Sequence, residues 1–284
     1  MGGPDITDTD AAGRGVTRRR ALVLGLGAFG ACAGLVYGVR RLAGVDFTRG
    51  SLMSFWDRGA SPQGRLTARP GRVEAAGAAG LQELRLGTGR DGFLYAPASY
   101  AAGRAAPLLL MLHGAGGSAR NTTPMLQKLA DEFGLLLLVP DSRGQTWDVI
   151  EGGYGPDVTF IDRALMQTFG RYEVDSARVG VGGFSDGASY ALSLGLTNGD
   201  LFTHVLAFSP GFMAPASKRG SPALFVSHGT RDRVLSVDAC SRRIVPQAQR
   251  AGYAVEYREF DGGHTVPPDI ARGALDWFLK AKGE

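Results

Sequence analysis

A serine hydroxyl becomes a useful nucleophile only when a base can take its proton and a turn exposes it to substrate. Gly183-Phe184-Ser185-Asp186-Gly187 has the composition of such a turn. Val179–Gly182 before it reads as a strand, and Ala188–Leu196 after it reads as a helix. Glycines two before and two after the serine let strand and helix pass closely, leaving the hydroxyl at the apex. With 43 glycines in 284 residues, the pentapeptide alone is weak evidence. Its flanks make Ser185 the candidate nucleophile.

The base must come from four histidines, His113, His204, His228 and His264. His113 and His228 each end an apolar run and precede glycine, a placement suited to loop geometry. His204 opens a strand and reads as a surface or capping residue. His264 lies in Asp261-Gly262-Gly263-His264-Thr265, past the last expected strand and before the last helix. A loop at that edge of a sheet can reach a nucleophile on a neighbouring strand. Asp232, in His228-Gly229-Thr230-Arg231-Asp232, is the leading orienting acid. Asp238 is its rival and reads better as a helix N-cap.

A developing oxyanion needs N–H donors, each contributing roughly 3–4 kcal/mol when well placed. One is the backbone N–H of Asp186, next after the nucleophile. The other is expected from His113-Gly114-Ala115-Gly116-Gly117, with Ala115 the candidate. No Gly-Lys-Ser/Thr follows that loop, so it does not read as a phosphate cradle. Trp147, Phe184, Phe212 and Met213 are the apolar residues nearest the expected mouth. Of these, Trp147, Phe184 and Phe212 are the candidates for substrate contact. Gln145–Pro156 is expected to shape the rim, and only residues 209–223 separate two strands where a cap would insert. Fifteen residues are too few for a helical cap, so the site is expected to be shallow and open.

These groups need a scaffold. Apolar runs at Leu81–Leu86, Gly92–Ala96, Leu108–Leu112, Leu135–Val139, Val179–Gly182, His204–Phe208, Leu224–Ser227 and Val255–Phe260 read as strands. Helical spacing fills Ala119–Phe133, Asp157–Phe169, Gly187–Leu196, Asp238–Ala251 and Pro268–Ala281. Asp157 stands where an N-cap is expected, and Pro268 where a first-turn proline is expected. The alternation predicts an α/β fold with about eight mostly parallel strands and helices on both faces.

Residues 1–80 carry 11 Lys/Arg against 6 Asp/Glu, and residues 81–284 carry 20 against 21. The net charge of +4 therefore belongs to the N-terminal segment, and nucleic acid is not an expected partner. Thr17-Arg18-Arg19-Arg20 precedes an apolar run, Ala21–Val39, closed by Arg40 and Arg41. Residues 1–43 thus read as a twin-arginine-like signal for export across a bacterial inner membrane, cleaved or retained as an anchor. As a helix the run would be about 28 Å long, enough to cross the hydrocarbon. Periplasmic, extracellular and membrane-anchored destinations all fit, and lipidation at Cys32 is a minor alternative. Residues 44–80 read as a linker and 81–284 as the catalytic domain. Two cysteines, Cys32 and Cys240, build no disulfide framework, and the scattered histidines lack metal-ligand spacing. No cofactor is expected.

Over about residues 85–284, His113-Gly-Ala-Gly-Gly, Gly183-Phe-Ser-Asp-Gly, His228-Gly-Thr-Arg-Asp232 and Gly262-Gly263-His264 resemble the phospholipase/carboxylesterase group of α/β hydrolases. Extracellular polyhydroxybutyrate depolymerases and feruloyl esterases are close to that group. The resemblance implies an α/β-hydrolase fold without a large cap domain. Its order of nucleophile, acid and base assigns Ser185, Asp232 and His264 to a triad, with Ala115 and Asp186 as the oxyanion hole. It further implies cleavage of small or lipid-like carboxylic esters through an acyl-enzyme. Asp186 departs from the usual Gln or Ala, and its charge is expected to disfavour anionic substrates. The alternatives are a serine peptidase on the same fold and a catalytically silent envelope binding module.

Overall fold

The computed structural model describes residues 64–280 apart from Thr88. The expected export segment 1–43, Cys32 and the first part of the expected linker lie outside the described residues. In chain order the elements are β1 Gly80–Glu83, β2 Gly92–Ala96, β3 Ala106–Leu112, α1 Ala119–Phe133, β4 Leu136–Pro140 and α2 Pro156–Arg171. There follow β5 Val174–Phe184, α3 Asp186–Thr197, β6 His204–Phe208, β7 Ala223–Gly229, α4 Ser241–Arg250, β8 Val255–Phe260 and α5 Pro268–Leu279.

The strands form one eight-stranded sheet in the order β1-β2-β4-β3-β5-β6-β7-β8. β2 runs antiparallel to both β1 and β4, and the other pairings are parallel. Apolar continuity explains the arrangement: every residue of β4 and of β6 is buried, as strands covered on both faces require. α1 and α5 cover one face, burying Leu126, Ala130, Leu275 and Phe278. α2, α3 and α4 cover the other, around Phe160, Ile161, Leu192 and Ile244.

Strand–helix alternation follows the sequence, with informative exceptions. β5 begins at Val174, well before Val179: Val174 pairs with Ala106, Asp175–Arg178 forms an irregular stretch at a register shift, and pairing resumes at Val179 with Leu108. Polar residues hid that extension. Asp157 is not an N-cap: Gly155 holds that position, Pro156 opens α2, and Asp157 is buried in its first turn. Asp238 does not cap α4 either; Cys240 does, and Asp238 pairs with Arg242 at 2.7 Å. His204 is not a surface residue, since its ring packs edge-on against Trp277 and Phe278. The linker does not extend to residue 80. Leu66 and Ala68 are buried, the Leu66 N–H donates to Asn198 Oδ1 at 2.9 Å, and Asp162 accepts from the N–H groups of Thr67 and Ala68. Burying a leucine side chain is worth about 1.5–3 kcal/mol, so this stretch is fastened to the domain.

Candidate active site

The parallel strands β3, β5, β7 and β8 all end at one edge of the sheet, and the loops leaving them meet there. Ser185, between β5 and α3, has φ 58° and ψ −120°, a region ordinary L-residues avoid. The two flanking glycines make that turn affordable. A Cβ on Gly183 would lie 2.1 Å from the Gly187 carbonyl oxygen, and one on Gly187 2.3 Å from the Leu112 carbonyl oxygen. Ser185 is tied down on both sides: its N–H donates to Phe208 O at 2.9 Å, and its carbonyl accepts from Ala188 and Ser189.

His264 Nε2 lies 2.9 Å from Ser185 Oγ, and His264 Nδ1 lies 2.6 Å from Asp232 Oδ2. Asp232 is buried, and its second oxygen accepts the N–H groups of Val234 at 2.8 Å and Leu235 at 2.9 Å. A carboxylate held by two backbone donors can only present its remaining oxygen to the imidazole, which fixes the ring with Nδ1–H toward Asp232 and Nε2 toward the serine. The two loops are fastened to each other as well: Thr230 N–H donates to Phe260 O and Arg231 N–H to Gly262 O, each at 2.9 Å. The expected Ser185, Asp232 and His264 are thus brought into one bonded chain, whereas Asp238 lies with Arg242 and Glu259.

The His113–Gly117 loop lies beside the serine, with a Cβ on Gly114 only 3.4 Å from Ser185 Cβ. His113 itself is buried. Its Nε2 accepts the Ser142 N–H at 3.0 Å, so the ring is neutral and Nδ1–H donates to Gly114 O at 2.7 Å. Burial pushes its pKa below the usual histidine value, in keeping with that neutral form. Arg90 bridges to Gly117 O at 2.8 Å and to Ser142 O at 2.6 Å, while Gly116 N–H donates to Gln145 O. These bonds hold the loop from both flanks and orient the peptide that carries the Ala115 N–H. Asp186 is the first residue of α3, so its N–H has no carbonyl within that helix to bond.

One substrate-contact expectation is corrected. Trp147 is wholly buried: its ring stacks on Tyr190 at 5.2 Å and its Nε1–H donates to His113 O at 2.8 Å. It braces the His113–Gly117 loop from beneath. Gln145–Pro156, expected as a rim, is laced by Asp148 and Asp157. Asp148 accepts from Gly155 and Asp157 N–H groups, and Asp157 accepts from those of Arg143 and Asp148. Burial, then the neighbouring Asp148 charge, pushes Asp157 up to about 7. Phe184 does sit at the site, its ring 4.6 Å from that of His264. Phe212 is half-buried on the segment after β6.

That segment lies along α3 without forming a cap. Ser189, Ser193 and Thr197, one helical turn apart, accept the N–H groups of Gly211, Ala214 and Ala216 at 2.9, 3.0 and 3.2 Å. The sequence reading did not find Arg90, Ser142 or Thr146, whose hydroxyl donates to Asp186 Oδ2 at 2.7 Å. All three act across distant stretches of chain and carry no local motif.

Residues 84–219 match the Esterase family model ("Putative esterase"), a span that contains His113–Gly117 and Ser185. No curated protein matches the chain in sequence. Among solved structures, an S-formylglutathione hydrolase (FrmB) from Staphylococcus aureus aligns with a TM-score of 0.60 at 15% identity, over 74% of this chain and 100% of its own. Esterase PE8 aligns with 0.53 at 23% identity, over 65% and 97%. A phospholipase/carboxylesterase from Dyadobacter fermentans aligns with 0.52 at 18% identity, over 74% and 100%. At these identities the structural likeness establishes the fold. The chain thus has the fold of the α/β hydrolases, and its residues 84–219 are similar to the Esterase family.

Proposed function

We propose that this chain hydrolyses carboxylic esters through an acyl-enzyme carried on Ser185. As Ser185 Oγ attacks the ester carbonyl, His264 Nε2 takes its proton, and Asp232 stabilises the resulting imidazolium through Nδ1–H. The N–H groups of Ala115 and Asp186 receive the oxyanion. Collapse of the tetrahedral intermediate breaks the bond to the alcohol, which leaves with the proton from His264. Water then attacks the acyl carbonyl, His264 takes its proton, and the second collapse returns that proton to Ser185 and frees the acid.

The observation that carries this reading is the bonded series Ser185–His264–Asp232 at a strained turn, at 2.9 and 2.6 Å. The bond from Thr146 holds the Asp186 carboxylate beside the site, a placement that disfavours anionic substrates. With the 209–223 segment laid flat on α3, neutral esters reach the serine without a cap opening. The test is hydrolysis of p-nitrophenyl acetate by Ser185→Ala, expected to fall to background; activity at the wild-type rate would remove the reading. We also propose, from the paired arginines before Ala21–Val39, that residues 1–43 direct export. Exchanging Arg18 and Arg19 for lysine should then hold the full chain in the cytoplasm.

A further inference from the structure

A second serine, histidine and aspartate series lies behind the first. His228, near the end of β7, bonds Ser241 Oγ through Nδ1 at 2.7 Å and approaches Asp232 Oδ2 through Nε2 at 3.3 Å. It is not a second active site: Ser241, the first residue of α4, and the His228 ring are wholly buried, so no substrate reaches them. The hydrogen positions follow from the partners. Nε2 lies 2.8 Å from Leu235 O, which can only accept, so Nε2 carries the hydrogen and Nδ1 accepts the Ser241 hydroxyl. Burial, first among the causes, lowers the pKa of the ring and keeps it in that neutral form.

The Nε2–H therefore serves two acceptors, Leu235 O and Asp232 Oδ2, and through them His228 acts on both oxygens of the acid. Oδ2 is the oxygen that bonds His264 Nδ1 at 2.6 Å. Oδ1 accepts the N–H of Val234 and that of Leu235, the residue whose carbonyl His228 holds. The Asp232 carboxylate thus faces four N–H donors, with its side chain out of contact with water. Each donor spreads the negative charge and makes the carboxylate a poorer proton acceptor.

We infer that His228 is a positioning residue for catalysis, whose Nε2–H weakens Asp232 Oδ2 as a proton acceptor so that the proton taken from Ser185 stays on His264. The inference rests on the reading of Ser185 as nucleophile and concerns the moment after its attack. When His264 Nε2 gains that proton the ring carries two hydrogens, and the one on Nδ1 has a carboxylate oxygen 2.6 Å away. Transfer to Oδ2 would leave a neutral acid beside a neutral imidazole and remove the attraction that stabilises the imidazolium. With His228 donating to the same oxygen, Asp232 stays anionic and His264 cationic until Nε2 passes its proton to the departing alcohol. The remaining charges near the ring do not change. Glu259 lies beside His228 in the β7–β8 register, and Arg242 of α4, bonded to it at 2.6 Å, holds its carboxyl down at about 2.

Two variants test this. His228→Leu keeps the bulk and removes the donor, whereas the amide of His228→Gln can donate from near the place of Nε2. In His228→Leu the acid limb of the kcat/KM profile for p-nitrophenyl acetate should move to higher pH by about half a unit or more. The proton resonance between His264 and Asp232, identified by its loss in His264→Ala, should move downfield. His228→Gln should restore both. A general loosening of the fold would lower activity in both variants and leave limb and resonance where they were. An unmoved limb and resonance in folded His228→Leu, or equal shifts in the two variants, would overturn the inference. Nitrogen-15 histidine spectra of the wild-type protein give an answer that depends on neither variant folding. The His228 Nε2–H signal should shift as activity rises with pH, because both rings share Oδ2. A signal indifferent to that rise, or a His228 with its hydrogen on Nδ1, would overturn the inference. Failure of the nucleophile reading would appear instead as wild-type hydrolysis by Ser185→Ala, and the resonances are scored without turnover.

Discussion

The ends of β3 and β7 are built alike and serve different halves of one site. Each finishes in a buried histidine followed by glycine, and each histidine is held in a single neutral form by two bonds. At β3, His113 accepts a backbone N–H at Nε2 and donates from Nδ1 to Gly114 O. At β7 the tautomer is reversed: His228 donates from Nε2 to Leu235 O at 2.8 Å, and its Nδ1 accepts the Ser241 hydroxyl at 2.7 Å. His228 Nε2 also approaches Asp232 Oδ2 to 3.3 Å, the same oxygen that bonds His264 Nδ1. Burial lowers the pKa of both rings. Burial and two committed partners turn a histidine into a loop clamp, whereas His264, part exposed and facing a hydroxyl, keeps a nitrogen available for proton transfer. One clamp holds the His113–Gly117 loop and the other the loop that carries Asp232.

The largest effects should come from the mobile proton. His264→Ala is expected to lower kcat on the order of 10⁶-fold, and Asp232→Asn about 10⁴-fold, with folding retained by circular dichroism. A loss under tenfold for either would break the contrast between the working histidine and the clamps. Next come the clamps. His113→Ala should cost about 10²-fold in kcat with little change in KM, because a displaced oxyanion donor is felt in the transition state. His228→Ala should lower kcat less than Asp232→Asn does, and lower the melting temperature as well, since the Leu235 carbonyl loses a buried donor worth about 1–3 kcal/mol.

The smallest effect separates clamps from carboxylates by pH. A folded-state pKa of about 7 for Asp157, above its unfolded value, gives stability present in acid and lost as pH rises from about 4 to 7. The lowered histidines act oppositely: their contribution is present above their unfolded pKa near 6.5 and is lost as pH falls. Thermal melts of Asp157→Asn between pH 4 and 7 should therefore tilt toward greater stability at the neutral end than wild type shows. The slope is the readout, whatever the uniform offset. An unchanged slope would place Asp157 outside that titration.

Much of this site was legible because its chemistry is written in short stretches. The turn around Ser185, the loop at His113 and the loop at His264 each announce themselves by glycine spacing and by the apolar run before them. What was not legible depends on contacts between remote segments. Trp147 looks like a rim aromatic until Tyr190 and His113 O are seen against it. Asp157 and Asp238 both precede helical spacing and read as caps, but each helix starts elsewhere, and one carboxylate turns inward while the other pairs with Arg242. Leu66 and Ala68 sit in a stretch with no sustained period, and only Asn198 and Asp162 reveal where that stretch binds.

The central claim is that the Ser185 oxygen holds the acyl group between two half-reactions. Intact-mass spectrometry of a rapidly quenched reaction with a p-nitrophenyl ester, followed by peptide mapping, addresses it directly. The account predicts one added acyl mass, located on the peptide containing Ser185 and absent from Ser185→Ala. Turnover with no adduct, or an adduct on another residue that survives Ser185→Ala, would contradict it.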